Sequence, residues 1–479
     1  MSSKAAPILQ ERGLFWWNED PIPDGYFAPQ SAIGGVLTIE AENISLELDG
    51  LLPHQGNIFD AIITHQGEKV DKPIQGVLSA SGKRVLLTEL IRHGGQFRTN
   101  ALSTQGFLAF ECLIADAPFP AGARPEVISM TVNLAGLQPW FASEPLKVQR
   151  TEIAVTATYT HRKNASYELD NETIQINFGP GIKRSSQTLS LSDEIWLVHS
   201  ARAPTQLDQQ TDLFGLLNDF FILLTGRDFS LRRPTLKLRD GPVCEWHLFR
   251  GEGSEPTLIS GKECWTTFPQ VRVQLGGLWR RWAQLRELSG PGIYLYLSTL
   301  RRKDLYPEHQ FVNLIWGLEA FHRRNRAPSE TNSTSKTIER ILGQINEGKD
   351  KKWLIGKLKH AHEPSLADRI ALIVSSLPIG FDRKAVNIFA TECAGLRNDI
   401  SHFGGNEKDA SYLDFVHKLQ RYSRALSTLY HYLILHEIGV DPKWLNEWIH
   451  KGSRSYVIRQ EFIEVGLIKR DKKIKGKAG

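Results

Sequence analysis

The chain of 479 residues has few cysteines, Cys112, Cys244, Cys264 and Cys393. They stand too far apart for a CxxC or zinc-ribbon spacing, and four cysteines in so long a chain are not the disulfide framework of a small secreted domain. No run of apolar residues approaches the ~20 that a membrane helix needs, and residues 1–20 hold no apolar core of signal-peptide length. We therefore expect a cytoplasmic protein with no membrane contact.

An excess of one charge is also missing, since 58 Lys and Arg face 53 Asp and Glu, a net charge of +5. This balance permits a nucleic-acid partner but does not require one. The one dense basic run, Lys469–Lys477, is interpreted either as a solvated tail or as a phosphate-binding arm. The length excludes a single small module, and the ordinary share of hydrophobic residues, 41%, excludes wholesale disorder.

The first half of the chain is patterned as β-structure. From residue 10 to about residue 200 apolar residues alternate with polar ones, as in Gly35–Glu40 and Ile44–Leu48. Turn pairs such as Asp49-Gly50 recur at intervals suited to a sandwich or an open barrel. A helix is predicted over 211–225, ending before Gly226, with two further strands after it. We predict a β-rich domain over residues 1–255.

The second half is patterned as a helical bundle, predicted over residues 256–467, with a basic flexible tail at 468–479. Apolar residues follow a helical period at 311–321, and two long helices are predicted at 383–403 and 410–438. The polar run Pro328–Thr337 is predicted to be a loop. Asp441 followed by Pro442 is typical of the start of a short helix. The predicted fold class is α+β.

Residues 396–405, LRNDISHFGG, carry the candidate chemistry. Apolar residues at 386, 389, 393, 396, 400 and 403 define a buried face of this helix. At ~100° per residue, Asn398 and His402 lie ~40° apart on the opposite face, while Arg397 lies ~140° from His402. An arginine, an amide and a histidine thus gather at a helix end that Gly404-Gly405 terminates.

Two interpretations of this group remain open. Arg397 could pair with a surface acid while His402 interacts with the helix dipole. Alternatively, a group that titrates near neutrality and a permanent cation are what RNA cleavage without a metal requires. The two side chains can converge if the helix bends at its end, or if two copies face each other.

The segment R-N-D-I-S-H at Arg397–His402 resembles the Arg-polar-x-x-x-His motif of HEPN-domain ribonucleases. The preceding helix Trp316–His322 and the polar loop after it resemble the ApeA-like branch of that family. The first half is similar to the ApeA N-terminal domain in the segments Gly13–Trp17, Gly35–Ile39 and Leu137–Trp140. The resemblance spans roughly residues 10–465.

The resemblance implies an RNase of bacterial anti-phage defence that dimerises through its HEPN domain and cuts RNA, often tRNA, without metal. Arg397 would stabilise the phosphate, His402 would act as general acid and base, and Asn398 would be a supporting polar residue. The RNA 2′-OH would be the nucleophile. Glu319 matches a glutamate often found in such domains, and a surface salt bridge is its equally open alternative. Because an unrestrained RNase would injure its host, we also predict that residues up to about 255 hold two HEPN domains in a poorly active arrangement until a phage-derived ligand binds. Delivery of RNA by this first half of the chain is the alternative.

Other signals lead to weaker hypotheses. His360 and His362 could suggest a metal site, but their spacing is not the i, i+4 pair of a helical site, and a surface loop is favoured. The tryptophans of the β-rich domain could stack on bases, but core packing is the simpler explanation. No cofactor is indicated. The rival functions are a non-catalytic HEPN-type binding module and a β-sandwich ligand-binding protein whose helical half only dimerises.

Overall fold

The computed structural model describes residues 6–53, 67–96, 100–122, 124–249, 260–301, 305–325, 332–345, 348–358, 363–401, 411–451 and 454–470. The chain forms two compact units: the barrel unit, residues 1–218 and 229–259, and the helical unit, residues 219–228 and 260–479. The predicted domain boundary at residue 255 lies outside the described residues, as does the basic tail beyond Arg470. Residues 219–228, which the sequence assigns to the first domain, pack with the helical unit.

The barrel unit begins with seven strands: β1 (Leu9–Trp17), β2 (Ile33–Ile39), β3 (Ile44–Leu48), β4 (Lys69–Val70), β5 (Ile74–Leu78), β6 (Arg84–Gln96) and β7 (Thr104–Ala115). Six of them follow one another in the order β7-β3-β2-β1-β5-β6, and β6 pairs antiparallel with β7 to close a barrel. The strand β4 attaches to β6. The expectation of a β-rich, barrel-like domain is confirmed, and the barrel is closed.

Eight further strands follow in the same unit: β8 (Glu126–Asn133), β9 (Leu146–Arg150), β10 (Val155–Tyr159), β11 (Ala165–Glu168), β12 (Glu172–Arg184), β13 (Leu189–Gln206), β14 (Thr235–Leu238) and β15 (Val243–Leu248). From β7 outward the sheet continues as β15, β14, β8, β13, β12 and β11, while β9 and β10 form a separate hairpin. The first half of β7 pairs with β3, and its second half lies between β6 and β15. This strand therefore belongs to both the barrel and its extension.

The barrel core follows from the alternation seen in the sequence. In β2 and β3 every second residue is buried, and Leu37 and Leu46 contribute these side chains to the core. Trp17 meets the edge of Phe107 with ring centroids 6.1 Å apart. Apolar side chains that point inward from a pleated sheet lose their contact with water, which is the main stabilising contribution to such a fold.

The helical unit contains the end of α1 (Leu207–Thr225), which stops before Gly226 as predicted. Gly226 has a φ of 67°, a left-handed conformation that glycine adopts without strain. The other long helices are α2 (Leu275–Arg301), α3 (Pro307–Asn325), α4 (Asn332–Gly343), α5 (Lys349–Leu358), α6 (Leu366–Ser376), α7 (Arg383–Ser401), α8 (Tyr412–Glu437), α9 (Pro442–His450) and α10 (Ser455–Glu464). Both halves of the α+β prediction are confirmed.

Helix α3 is central to this unit, since it contacts α2, α6, α7 and α8. Its approach to α2 depends on glycine. A Cβ added to Gly292 would lie 2.9 Å from the carbonyl oxygen of Gly317, and one added to Gly317 would lie 3.0 Å from Tyr430 of α8. A larger residue at either position would force the helices apart.

Polar side chains fix where the helices near the candidate site begin. The Ser411 hydroxyl accepts a hydrogen bond from the Asp414 backbone N–H at 3.2 Å and caps α8. Asp441 caps α9 by accepting from the Lys443 N–H at 2.8 Å, with Pro442 in the first turn. The predicted start of α9 is therefore confirmed, and each cap satisfies a donor that a helix end leaves open.

The predicted loop Pro328–Thr337 is wrong in its second half, because α4 begins at Asn332. Asn, Ser and Thr are weak helix formers, yet they are favoured near helix starts. Ile338, Ile341 and Leu342 follow at helical spacing, so an apolar face continues directly from the polar turn. Residues 326–331 lie outside the described residues.

Candidate functional site

Helix α7 carries the residues of the predicted motif and is oriented by its buried face. The buried positions match the predicted periodicity: Val386, Phe389, Cys393 and Leu396. Ile400 is half-buried, and Phe403 lies outside the described residues. The Phe389 ring stacks on Tyr422 of α8 with centroids 5.6 Å apart. This packing sets the rotation of α7 and therefore the directions of Arg397 and Asn398.

Arg397 is half-buried one turn before the described end of α7. Its Nη1 donates to Asn398 Oδ1 at 3.3 Å. Its Nε is buried and has no hydrogen-bond partner within the part of the chain that the structure describes. Among these residues Arg397 also forms no salt bridge. A guanidinium carries five N–H donors in a fixed planar arrangement, so most of these donors have no partner among the described residues.

Asn398 is exposed, and its amide oxygen accepts the Arg397 bond. This position agrees with the prediction that Asn398 lies off the buried face. The Ser401 hydroxyl donates to the Arg397 carbonyl oxygen at 3.0 Å, within the last described turn of the helix. The Asn398 amide thus contacts the guanidinium itself, while the Ser401 bond is made to the helix backbone.

His402, the third predicted residue, lies outside the described residues, which resume at Ser411. It follows directly on Ser401, the last residue of α7. The structure therefore brings Arg397 and Asn398 together and leaves the distance between Arg397 and His402 unmeasured.

Glu319, which resembled a family glutamate, forms a salt bridge within α3. Its Oε1 accepts from Arg323 Nη2 at 3.1 Å, one helical turn away. Arg323 also donates to Glu363 Oε2 at 2.8 Å. The surface salt bridge, one of the two interpretations of Glu319, is the contact that the structure contains.

A buried arginine that sequence reasoning missed lies next to this pair. Arg369 of α6 is 5% exposed and donates to Glu363 Oε2 at 2.8 Å and to the Pro364 carbonyl at 3.0 Å. Its Nη1 lies 3.3 Å from Nδ1 of the buried His322 on α3. The only sequence signal was a charged residue on the apolar face of α6. These contacts join α3 to α6, and α6 packs on α7.

The cysteines and two of the tryptophans considered in the sequence analysis have structural roles. The four cysteines are buried and unpaired, and burial raises the pKa of the Cys393 thiol well above its ordinary value, which disfavours a reactive thiolate. Trp16 and Trp140 are fully buried, as core packing predicts.

The described ranges contain no group of three or more side chains that could hold a metal ion. His360 and His362 lie outside these ranges. No helix in the described part of the chain is long and apolar enough to cross a membrane.

Comparison with known families matches both halves of the chain. Residues 11–267, more than half of the sequence, match the family described as ApeA N-terminal domain 1, and residues 312–443 match Apea-like HEPN. No curated protein and no solved structure shows a significant match. The second match includes Arg397, Asn398 and His402. An ApeA domain followed by a HEPN domain indicates anti-phage defence and an activity of the RNase type. The chain belongs to the ApeA-like HEPN family.

Proposed function

We propose that this protein is a metal-independent endoribonuclease of abortive-infection defence, acting in the cytoplasm on RNA, with tRNA as a candidate substrate. Its catalytic group would consist of Arg397, Asn398 and His402. Membership of the ApeA-like HEPN family supports the proposal. The contacts of Arg397 support it independently of that membership.

The observation that carries the proposal is the bonding of Arg397. The group is held by Asn398, yet its buried Nε has no partner and no acid pairs with it among the described residues. Arg162, Arg227 and Arg286 also have a buried Nε without a partner, but each forms a salt bridge, whereas Arg397 forms none among the described residues. A permanent cation whose terminal N–H groups have no acidic partner there is suited to bind the non-bridging oxygens of a phosphate, which it can contact with two parallel bonds.

The proposed reaction is attack of the RNA 2′-oxygen on the adjacent phosphorus. His402 takes the proton of the 2′-OH as the new P–O bond forms, and the bond to the 5′-oxygen breaks. The imidazolium then returns a proton to the leaving 5′-oxygen. The products are a 2′,3′-cyclic phosphate and a 5′-hydroxyl. Arg397 stabilises the charge that develops on the phosphoryl oxygens, and Asn398 orients the guanidinium.

We further propose that two copies form a homodimer through the HEPN domain, with Arg397 of one copy facing His402 of the other. On a straight helix the two side chains point ~140° apart, which hinders their convergence within one copy. Tyr412 and Leu413, 72% and 62% exposed, begin α8 just after the segment that contains His402. Exposed apolar side chains of this size are typical of protein contact surfaces.

Mixing two inactive variants tests this arrangement. If one site combines Arg397 and His402 from different copies, random exchange between Arg397→Ala and His402→Ala dimers restores one intact site in each mixed dimer, about a quarter of the original activity. Sites that are complete within one copy predict no recovery. Light scattering that shows a fully active monomer would exclude the shared site.

We propose that the ApeA domain holds the two HEPN domains of the dimer in a poorly active arrangement until a phage-derived ligand binds. Such a ligand must bind the active and inactive states with different affinity, and a typical allosteric coupling is ~1–3 kcal/mol. The restraint predicts that RNase activity of the full chain rises when lysate from phage-infected cells is added. An unchanged activity across lysates of infected and uninfected cells would count against it.

The direct test of the activity is incubation of the purified protein with total cellular RNA in EDTA, followed by analysis of the new ends. We expect cleavage with 2′,3′-cyclic phosphate and 5′-hydroxyl ends. His402→Ala should lower the rate ~10²–10⁴-fold, the usual contribution of a general acid or base. His417→Ala, which removes an exposed histidine of α8, is the matched control and should cleave normally. RNA binding without cleavage would favour the non-catalytic module.

A further inference from the structure

The barrel unit contains a cavity of about 270 Å³ on the outer side of the barrel. Its walls come from β4, the middle of β6 and β7, the residues before β8, and the start of α1. Three of its lining residues are buried: Thr88, Glu111 and Leu207. Sites for drug-sized ligands have volumes of about 300–1,000 Å³, so this cavity suits a small ligand or one end of a larger one.

Glu111 is the chemically unusual residue of this cavity. Its side chain is 7% exposed. Oε2 accepts a hydrogen bond from the Thr88 hydroxyl at 2.7 Å, and Oε1 accepts one from the Thr211 hydroxyl of α1 at 3.2 Å. Burial raises the pKa of Glu111 despite these two hydrogen bonds. No salt bridge to this carboxyl exists among the described residues, so its charge has no cationic partner there.

Among the described residues, the other buried carboxyl and the buried guanidinium are bonded differently. Asp219, 4% exposed, forms salt bridges with Arg286 and Arg301, and Arg369 forms one with Glu363. Removing a charge from water is costly unless an opposite charge and hydrogen bonds compensate. Glu111 has the hydrogen bonds but no ion pair among the described residues. Its side chain lines a cavity in which a ligand could supply the opposite charge.

The backbone beside Glu111 is strained as well. Glu89 lines the cavity and has a φ of 49°, a conformation that residues other than glycine seldom adopt. Val85, Leu87 and Leu90 all belong to the barrel core, so the alternation of β6 shifts by one position at Glu89. The shift leaves Thr88 and Glu111, which face each other across β6 and β7, outside the barrel core and on the cavity. Strain of this kind is concentrated at functional sites.

We propose that this cavity binds a small cationic ligand whose ammonium or guanidinium group pairs with Glu111. The charges at its rim favour a cation: Asp71, Glu89 and Asp208 face Lys69 and Arg124, and Lys69 is already paired with Glu89 at 2.6 Å. An anionic ligand would meet four carboxylates, Glu111 among them, against the two cations of the lining. This inference concerns binding by the barrel unit and does not depend on ribonuclease activity.

The test is calorimetric titration of the full chain with methylammonium, butane-1,4-diamine and (4-aminobutyl)guanidine at constant ionic strength. The neutral butane-1,4-diol is the matched control ligand. Wild type should bind at least one amine and not the diol. Glu111→Gln should weaken that binding at least tenfold, whereas Glu47→Gln, which neutralises an exposed carboxyl on β3, should leave it unchanged. Asp71→Asn should weaken it a few fold through the rim charge.

Glu111→Gln should also raise the stability of the ligand-free protein, because it removes a buried charge and keeps a partner for both hydroxyls, with the amide oxygen accepting from one and the amide NH2 donating to the other. A residue needed only for packing would not lose binding and gain stability together. The proposal is overturned if no amine binds, if the diol binds as well as the diamine, or if Glu111→Gln binds the amine as tightly as wild type does.

Discussion

Two arginines on neighbouring helices of the helical unit are bonded in opposite ways. Arg369 on α6 is buried, with a salt bridge to Glu363, a bond to a backbone carbonyl, and a close approach to His322. Arg397 on α7 is half-buried, with one weak bond to Asn398 and a buried Nε that lacks a partner among the described residues. The two helices pack together, so the same part of the fold supports both environments.

The difference indicates separate roles. A buried charged side chain that has an ion pair and hydrogen bonds to neighbouring elements holds those elements in place, so its removal lowers stability. A charged side chain whose donors are unmatched adds little to stability and is available to a ligand. The comparison therefore predicts that variants of Arg369 lose stability, while variants of Arg397 lose activity.

The largest effect on stability should come from removing residues 219–228, which supply partners to buried groups of the helical unit. Asp219 is the shared partner of Arg286 and Arg301, and the carbonyl oxygen of Leu223 lies 2.8 Å from Nε2 of the buried His431. We expect the fragment 260–479 not to unfold cooperatively, whereas 219–479 does, when each is followed by circular dichroism in urea. Equal unfolding midpoints would show that this segment is not part of the helical unit.

Arg369→Ala should follow, with a loss of about 1–3 kcal/mol in the free energy of unfolding, because it removes a buried side chain together with its bonds to Glu363, to the Pro364 carbonyl and to His322. Urea unfolding of the full chain measures it. Arg383→Ala, at the exposed start of α7, is the control and should change stability by no more than about 0.5 kcal/mol. A similarly small change for Arg369→Ala would contradict the distinction between the two arginines.

Asn398→Ala should have a smaller effect, a loss of about tenfold in RNA cleavage rate with unchanged stability, because the amide only orients Arg397. Asn398→Asp is informative beside it. A carboxylate there would pair with the guanidinium and compete with the phosphate, so its loss should exceed that of alanine. An aspartate variant as active as wild type would argue against a free guanidinium.

The smallest effect concerns pH and extends the comparison to Glu111. The pKa of Glu111 in the folded protein is raised above the ordinary value of 4.5. At pH values between 4.5 and this raised pKa, the folded state therefore binds more protons than the unfolded state. Stability attributable to Glu111 is therefore full below the ordinary pKa and is lost as pH rises through the folded pKa. The stability advantage of Glu111→Gln should increase across this window and then stay constant. An advantage independent of pH would mean that Glu111 does not titrate in this way.

The sequence predicted those features that local spacing determines. The buried face of α7 follows from apolar residues three and four apart, and the start of α9 follows from Asp441 and Pro442. The position of Asn398 off that face follows from the same geometry. These features depend on residues within two helical turns, where the helical period alone fixes which side chains share a face.

The features that were missed depend on partners distant in the chain. Arg369 meets His322 across 47 residues, and Asp219 meets Arg301 across 82. The barrel pairs of β3 with β7 and of β1 with β5, and the cavity beside Glu111, also arise only when segments distant in the chain meet. No periodicity records such pairings, because the intervening chain can have many lengths at little cost.

The central claim is that Arg397 acts on the scissile phosphate and does not hold the fold. It is tested most directly by measuring RNA cleavage and the thermal midpoint of Arg397→Ala beside Arg383→Ala, both of which remove one cation from α7. We predict that Arg397→Ala lowers the cleavage rate ~10²–10³-fold with an unchanged midpoint, while Arg383→Ala matches wild type in both. Cleavage by Arg397→Ala at the wild-type rate would contradict the account.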